Sequence, residues 1–289
     1  MTTGQIMPTD SDFEQIASDL RRHDRDRYLS TLFAPSRCRM GLLAVYGFNL
    51  EIARVRETTS EELIGHMRLQ WWRDQLEDVF AGTPPKHPVA EPLAWAVQEF
   101  GLDRALFDGL IDGRVADLID TPSDTLDGLV GYAESTASPV MVLALQILGQ
   151  KTEQTSEAAR HAGIAQALVG ILRAVPFVLR ARRVQLPVDL CRDAGLDLGR
   201  LYDRGPVGQE VELAAVVSRV ADRARTALVA GRACGVSRRA LPAFMPARLA
   251  ARDIGRLRKA DWNPFDDQVL RPDGLRPLIL LGAAIRGKF

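Results

Sequence analysis

At 289 residues the chain is long enough to bury one large hydrophobic core or two small ones. Hydrophobic residues make up 46% of it, the share expected of a globular protein rather than a disordered one. Its 37 basic and 37 acidic residues cancel, which removes the overall positive field on which nucleic-acid binding depends.

The chain starts "MTTGQIMPTDSDF", polar and slightly acidic, without the basic-then-apolar order of a secretory signal. Residues 1–10 are expected to be a disordered leader, followed by a single domain over 11–289. Helical periodicity dominates from there and no stretch alternates like a strand. The pattern predicts helices over roughly 11–33, 37–57, 60–81, 88–100, 103–119, 124–149, 153–182, 208–234, 237–260 and 272–287. Pro35-Ser36 opens the second of these. Thr59-Ser60-Glu61-Glu62 has the spacing of a capping box, in which Thr59 and Glu62 each satisfy a free amide of the third. In "GTPPKHP" (82–88) each proline lacks an amide donor and disfavours helix in the residue before it, so one helix stops and another starts there. The longest strongly apolar run, "PVMVLALQILG", is about half of what a membrane span requires. A cytoplasmic protein, at most peripheral to the inner membrane and without a transmembrane segment, is expected.

Cys38, Cys191 and Cys234 lie far apart and form no CxxC, which suits reduced thiols. His23, His66, His87 and His161 have no metal-ligand spacing, with one another or with cysteine. Charge is uneven along the chain. From Ser237 to Phe289 there are eleven basic and five acidic residues, and Arg248, Arg252, Arg256, Arg258 and Lys259 alternate with apolar ones. That segment is a candidate docking face for acidic lipid or protein; a solvated helix face is the plainer assignment.

A colinear set of segments resembles the squalene and phytoene synthases over nearly the whole length. It comprises "RYLSTLFAPSRCRMGLLAVYGFN" (27–49), "LQWWRDQLEDVFAGTPPKHPVAEPLAWAVQEFGL" (69–102), "LIDGRVADLID", "YAESTASPVMVLALQILG" and "LPAFMPARLAARDIGRLRKADWNPFD". The resemblance implies an all-α, single-domain trans-isoprenoid-synthase fold, with helices around a central cavity. In that family, aspartates at i and i+4 share a helix face, and two such helices hold Mg²⁺ against a prenyl diphosphate. The metal neutralises the departing diphosphate, whose charge an apolar cavity would otherwise oppose.

Here the first motif falls on "ARVRE" and the second on "AVPFV". The four carboxylate positions become Ala53, Glu57, Ala174 and Val178, and the polar positions upstream of the second motif become Ala167, Val169 and Gly170. Pro176 sits inside the second motif, where a proline removes a backbone hydrogen bond and bends a helix. The "LRAVPF" form resembles the branch that includes the mitochondrial complex I assembly factor, which keeps the fold and lacks the aspartate motifs.

The resemblance therefore implies a non-catalytic binding or assembly factor with no catalytic residue and no cofactor. Its partner would be a respiratory complex I subunit or assembly intermediate, with a lipid or prenyl chain as candidate ligand and no nucleic acid. A subunit supporting an active paralogue follows the same logic. The alternative is an active, Mg²⁺-dependent prenyl transferase that joins two prenyl diphosphates head to head. Arg37, Arg39, Arg173 and Arg183 match basic positions that hold diphosphate in the family, and are the candidate substrate-binding residues. Tyr28, Trp71 and Trp72 are candidate pocket walls, though core packing is the plainer assignment. Asp74/Asp78 and Asp112/Asp117 are weak candidates for a relocated metal site, since charged neighbours fit an exposed face.

Overall fold

The computed structural model describes residues 9–59 and 61–289, and most of the expected leader lies outside them. Thr9 and Asp10 belong to the domain: Thr9 and Asp12 form a capping box that opens α1 (Asp10–His23). The helix expected over 11–33 is broken at Asp24. That residue leaves helical geometry (φ −139, ψ 62), and its carboxylate accepts the Arg27 amide to cap α2 (Arg25–Thr31). α3 (Ser36–Ala53) starts directly after Pro35 and ends at Arg54, so the expected 37–57 helix becomes α3 and the short α4 (Val55–Thr58).

The capping box at Thr59 does not form. Thr59 Oγ1 donates back to the Val55 carbonyl at 2.8 Å, closing α4, and α5 (Glu62–Ala81) begins without a side-chain cap. α5 ends at Gly82, whose left-handed φ of 78° suits a residue without a Cβ. Then come α6 (Ala90–Phe100), α7 (Arg104–Val115) with a 3₁₀ turn over Ala116–Leu118, α8 (Leu126–Ile147) and α9 (Glu153–Val178). Two seven-residue helices, α10 (Val188–Ala194) and α11 (Leu198–Arg204), were not expected, being too short to show a periodic apolar face. α12 (Glu210–Ala233), α13 (Leu241–Lys259), the single turn α14 (Asp267–Leu270) and α15 (Arg276–Arg286) complete an all-α fold with no strand among the described residues.

The centre of the fold is α9, which packs against α8, α12 and α13. Leu168, Leu172 and Val175 are fully buried along it, each burial stabilising by roughly 1.5–3 kcal/mol. The crossing with α8 is close because Gly163 faces the backbone of Ser138, where a Cβ would lie 2.7 Å from Ser138 N and Cα. By length and composition, Leu126–Ile147 and Glu153–Ala181 could each cross a membrane. They instead pack on each other, and their apolar surface forms the core.

Candidate functional site

The ends of α3 and α9, with α4, α2, α7, α8 and α13, surround a cavity of about 430 Å³. Ala53 ends α3, Glu57 lies on α4, and Ala174 and Val178 occupy the last two turns of α9; all four line this cavity. Ala167, Val169 and Gly170 line it too. The α-helical geometry of α9 persists only two residues past Pro176, then tightens into a 3₁₀ turn over Leu179–Ala181. Arg182, at φ 55°, ends that turn. Proline removes the amide that the Leu172 carbonyl would accept from, so regular α geometry weakens here.

Of the four arginines matched to diphosphate binding, the cavity gathers two. Arg173 and Arg183 line it. Arg37 and Arg39 do not. Arg37 leaves the first turn of α3 toward solvent and pairs with Glu99, while Arg39 donates to the Thr31 and Leu32 carbonyls at 3.3 and 3.5 Å. The first turn of α3 is far along the helix from Ala53, so side chains there cannot reach the end where the cavity lies. Tyr28, Trp71 and Trp72 are also absent from the wall. Trp72 is buried against Phe48, and Trp71 packs on Trp72 and His87. Tyr28 packs on the core beneath Arg21.

The cavity wall carries five arginines and six carboxylates, and most are already joined to each other. Asp120 accepts from Arg56 at 3.2 and 2.5 Å, and Arg183 stands 3.2 Å from the same carboxylate. Asp117 accepts from Arg114 at 3.1 Å and from the Tyr132 hydroxyl at 2.5 Å. Arg27 pairs with Asp24 at 2.5 Å. Arg173 lies between Asp26 (3.3 Å) and Asp253 (3.1 Å), both of which also hold Arg276. Burial raises the Asp26 carboxyl above the usual carboxylate range, although Arg276 and Arg173 beside it act the other way. Burial alone would lower Arg114, yet Tyr132 and Asp117 outweigh it and the guanidinium is held more firmly charged.

This donor set does not fit a pair of magnesium ions. Three of the four positions on the facing helices offer no oxygen ligand, and hard magnesium needs several in near-octahedral array. Glu57 remains, at 3.7 Å from Arg54. Among the described residues no group of three or more His, Cys, Asp or Glu gathers at metal-binding distance. The alternative carboxylates do not supply one. Asp74 accepts from Gln70 at 2.8 Å, Asp78 faces solvent, Asp112 holds Arg73 at 2.6 Å, and only Asp117 reaches the cavity. Within the cavity, Gln166 Oε1 and Arg114 Nε are buried without a hydrogen-bond partner, and Arg183 Nε meets Asp120 at 3.2 Å without the alignment of a hydrogen bond.

Sequence reasoning singled out neither Asp24, Asp26, Asp120 nor Asp253, and only Asp24 carries a local signal. Asp120 meets Arg56 across 64 positions, a separation no motif encodes. The i, i+3 spacing of Asp24 and Arg27 was the one readable clue.

Comparison with known proteins bears on the same architecture. A family model described as squalene/phytoene synthase matches residues 20–276. Complex I assembly factor 6 of Rattus norvegicus is 34% identical over 263 residues, covering 90% of this chain and 78% of that one. A phytoene synthase of Cereibacter sphaeroides is 24% identical over 261 residues, covering 86% and 72%. Among solved structures, a ligand-bound dehydrosqualene synthase superposes with a TM-score of 0.78 at 22% identity, covering 96% of each chain.

Proposed function

The chain belongs to the squalene/phytoene synthase family, and from that premise we propose that it is a non-catalytic member acting as an assembly factor. One observation carries the reading: Ala53, Ala174 and Val178 line the cavity where the family resemblance puts metal-binding aspartates. With no metal to offset it, a diphosphate leaving group would meet Glu57 and the cavity's aspartates. The arginines placed to hold it already pair with carboxylates of this chain. The partner we propose is a complex I subunit or assembly intermediate, by analogy with the named activity of the rat relative. The cavity would then accept an uncharged prenyl or lipid chain, with Gln166 Oε1 and the free Arg114 Nε meeting a polar end.

The test of the first claim is pyrophosphate release from farnesyl or geranylgeranyl diphosphate with Mg²⁺. Background release is expected, and robust turnover abolished by a chelator overturns the proposal in favour of a prenyl transferase. Affinity capture tests the partner. Mass spectrometry of lipids that co-purify with the protein tests the ligand, and a lipid-free preparation refutes that part alone.

A further inference from the structure

The C-terminal helix carries a feature unrelated to the cavity. α15 buries Arg276, Leu280 and Ala283 against the body of the protein. On the opposite side Leu275, Leu278, Leu281 and Ile285 are 52%, 63%, 48% and 65% exposed. Their spacing of three and four residues puts them in one row along the helix. A ridge of four large aliphatic side chains in water is not explained by packing within this chain.

Cations gather at the C-terminal end of the ridge. Arg238 donates to the Ile285 carbonyl, and Arg232 lies over the Phe289 ring at 5.8 Å, which brings the end of α12 to the end of α15. Arg248, on the helix that α15 packs against, is half-buried and crowded by Arg232, Arg286 and Arg252. Arg252 is neutralised by Asp273 at 3.1 Å; Arg232, Arg248 and Arg286 form no salt bridge among the described residues. From Gly274 to Phe289 there is no Asp or Glu, and Lys288 adds another exposed cation. Burial and its positive neighbours hold the Arg248 guanidinium below its usual value, so the cluster gains by acquiring an anion.

The shape and composition select the partner. The row is a convex aliphatic edge without aromatic residues, methionine or hydrogen-bonding groups between its members, unlike the core of a protein interface. Aliphatic side chains on one face with long basic side chains at their flanks suit a bilayer interface, where the stems stay in apolar surroundings and the charges reach phosphate. Leu63, Ile64, Met67 and Trp71 form a second exposed apolar group on α5, but charges of both signs surround it and select no partner.

We propose that α15 is an interfacial helix, whose Leu275, Leu278, Leu281 and Ile285 ridge enters the headgroup boundary of an anionic bilayer while Arg232, Arg248 and Arg286 hold lipid phosphates. This docking is independent of whether the cavity is catalytic.

The experiment is flotation of the full chain with two kinds of vesicle: phosphatidylcholine alone, and equal parts phosphatidylcholine and phosphatidylglycerol. The protein is expected to float with the anionic vesicles and to stay behind with the neutral ones. Leu278→Ser with Ile285→Ser, and separately Arg248→Gln with Arg286→Gln, should each lower the bound fraction about tenfold at limiting lipid. Both variants keep the buried face of α15, and an unchanged thermal transition confirms that they fold. Should a variant unfold, single Leu278→Ser serves in its place. The proposal is overturned if the wild type stays with the unbound protein, or if both variants float as well as wild type. It is also overturned if the ridge variant keeps its lipid binding but turns a dimer into a monomer on sedimentation, which would make the occupant a second copy.

Discussion

Arg276 donates to both oxygens of Asp253, at 2.7 and 2.8 Å, in a place where neither residue is more than 5% exposed. Its other terminal nitrogen reaches Asp26 at 2.7 Å, and Arg173 closes the group from the cavity side. Four charges from α2, α9, α13 and α15 thus share one network at the cavity's edge, with Arg173 its half-exposed member. The attraction stabilises the fold only while every member is present, since removing one leaves its partner charged and dry. Arg276→Met should therefore destabilise the protein by about 3–5 kcal/mol. Urea denaturation monitored by circular dichroism measures this, and a change under about 1 kcal/mol would mean that water already screens the group.

Asp120 is the carboxylate that joins Arg56 and Arg183, both on the cavity wall. If these arginines are withheld from ligands by that pairing, Asp120→Asn should make the cavity a better anion site. Inorganic pyrophosphate should bind the variant about tenfold more tightly, as judged by titration calorimetry. Equal affinity in both proteins would show that neutralisation is not what limits diphosphate binding.

His87 sits against Trp71 and Trp72, and its Nδ1 accepts the Val89 amide at 3.1 Å just before α6 begins. That bond requires the neutral ring. Burial pushes the imidazole below its ordinary value of 6.5, against the opposing pull of Glu51 and Glu91. A depressed folded-state value means that unfolding takes up a proton. The stabilisation is complete above 6.5 and is lost as pH falls from there through the folded value. The melting temperature should drop on acidification across this window, and His87→Gln should flatten that part of the profile.

Arg256 was expected to lie on an exposed basic face, but it is structural. Its guanidinium donates to the carbonyls of Gln268 and Arg271, the latter at 2.7 Å, and so ties the loop around α14 onto α13. Arg252 is likewise engaged, with Asp273, while Arg258 and Lys259 face solvent. Arg256→Glu should cost about 1–3 kcal/mol of stability by breaking the two charge-assisted bonds that hold the loop. Arg258→Glu with Lys259→Glu should stay within about 0.5 kcal/mol. Chemical denaturation distinguishes them, and equal stabilities would mean that the loop is not held by Arg256.

Gly163 lets α9 approach α8 closely enough for Ser138 Oγ to donate to the Arg160 carbonyl at 2.9 Å. A methyl group there meets backbone, which cannot swing aside as a side chain can. Gly163→Ala should cost about 1–3 kcal/mol or more and push α9 away from α8. A variant as stable as wild type would mean that the crossing has slack.

Much of the fold was legible in the sequence because long amphipathic helices repeat their apolar residues at a fixed spacing, and backbone punctuation such as Pro35 and Gly82 acts locally. The helix breaks at Asp24 and Arg54 were not legible, and neither were α10, α11 and α14, where too few turns exist for a pattern to emerge. For the site, colinear motifs placed Ala53, Glu57, Ala174 and Val178, and the structure puts all four on one cavity. Sequence by itself thus determined the absence of carboxylates at three of those positions. Only the tertiary structure decided what the remaining charges do. Whether an arginine grips a ligand, a carboxylate or solvent depends on neighbours contributed by distant helices, as with Arg56 and Asp120 or Arg276 and Asp26. Coulomb attraction acts across space and is indifferent to chain separation, so no spacing in the sequence records it.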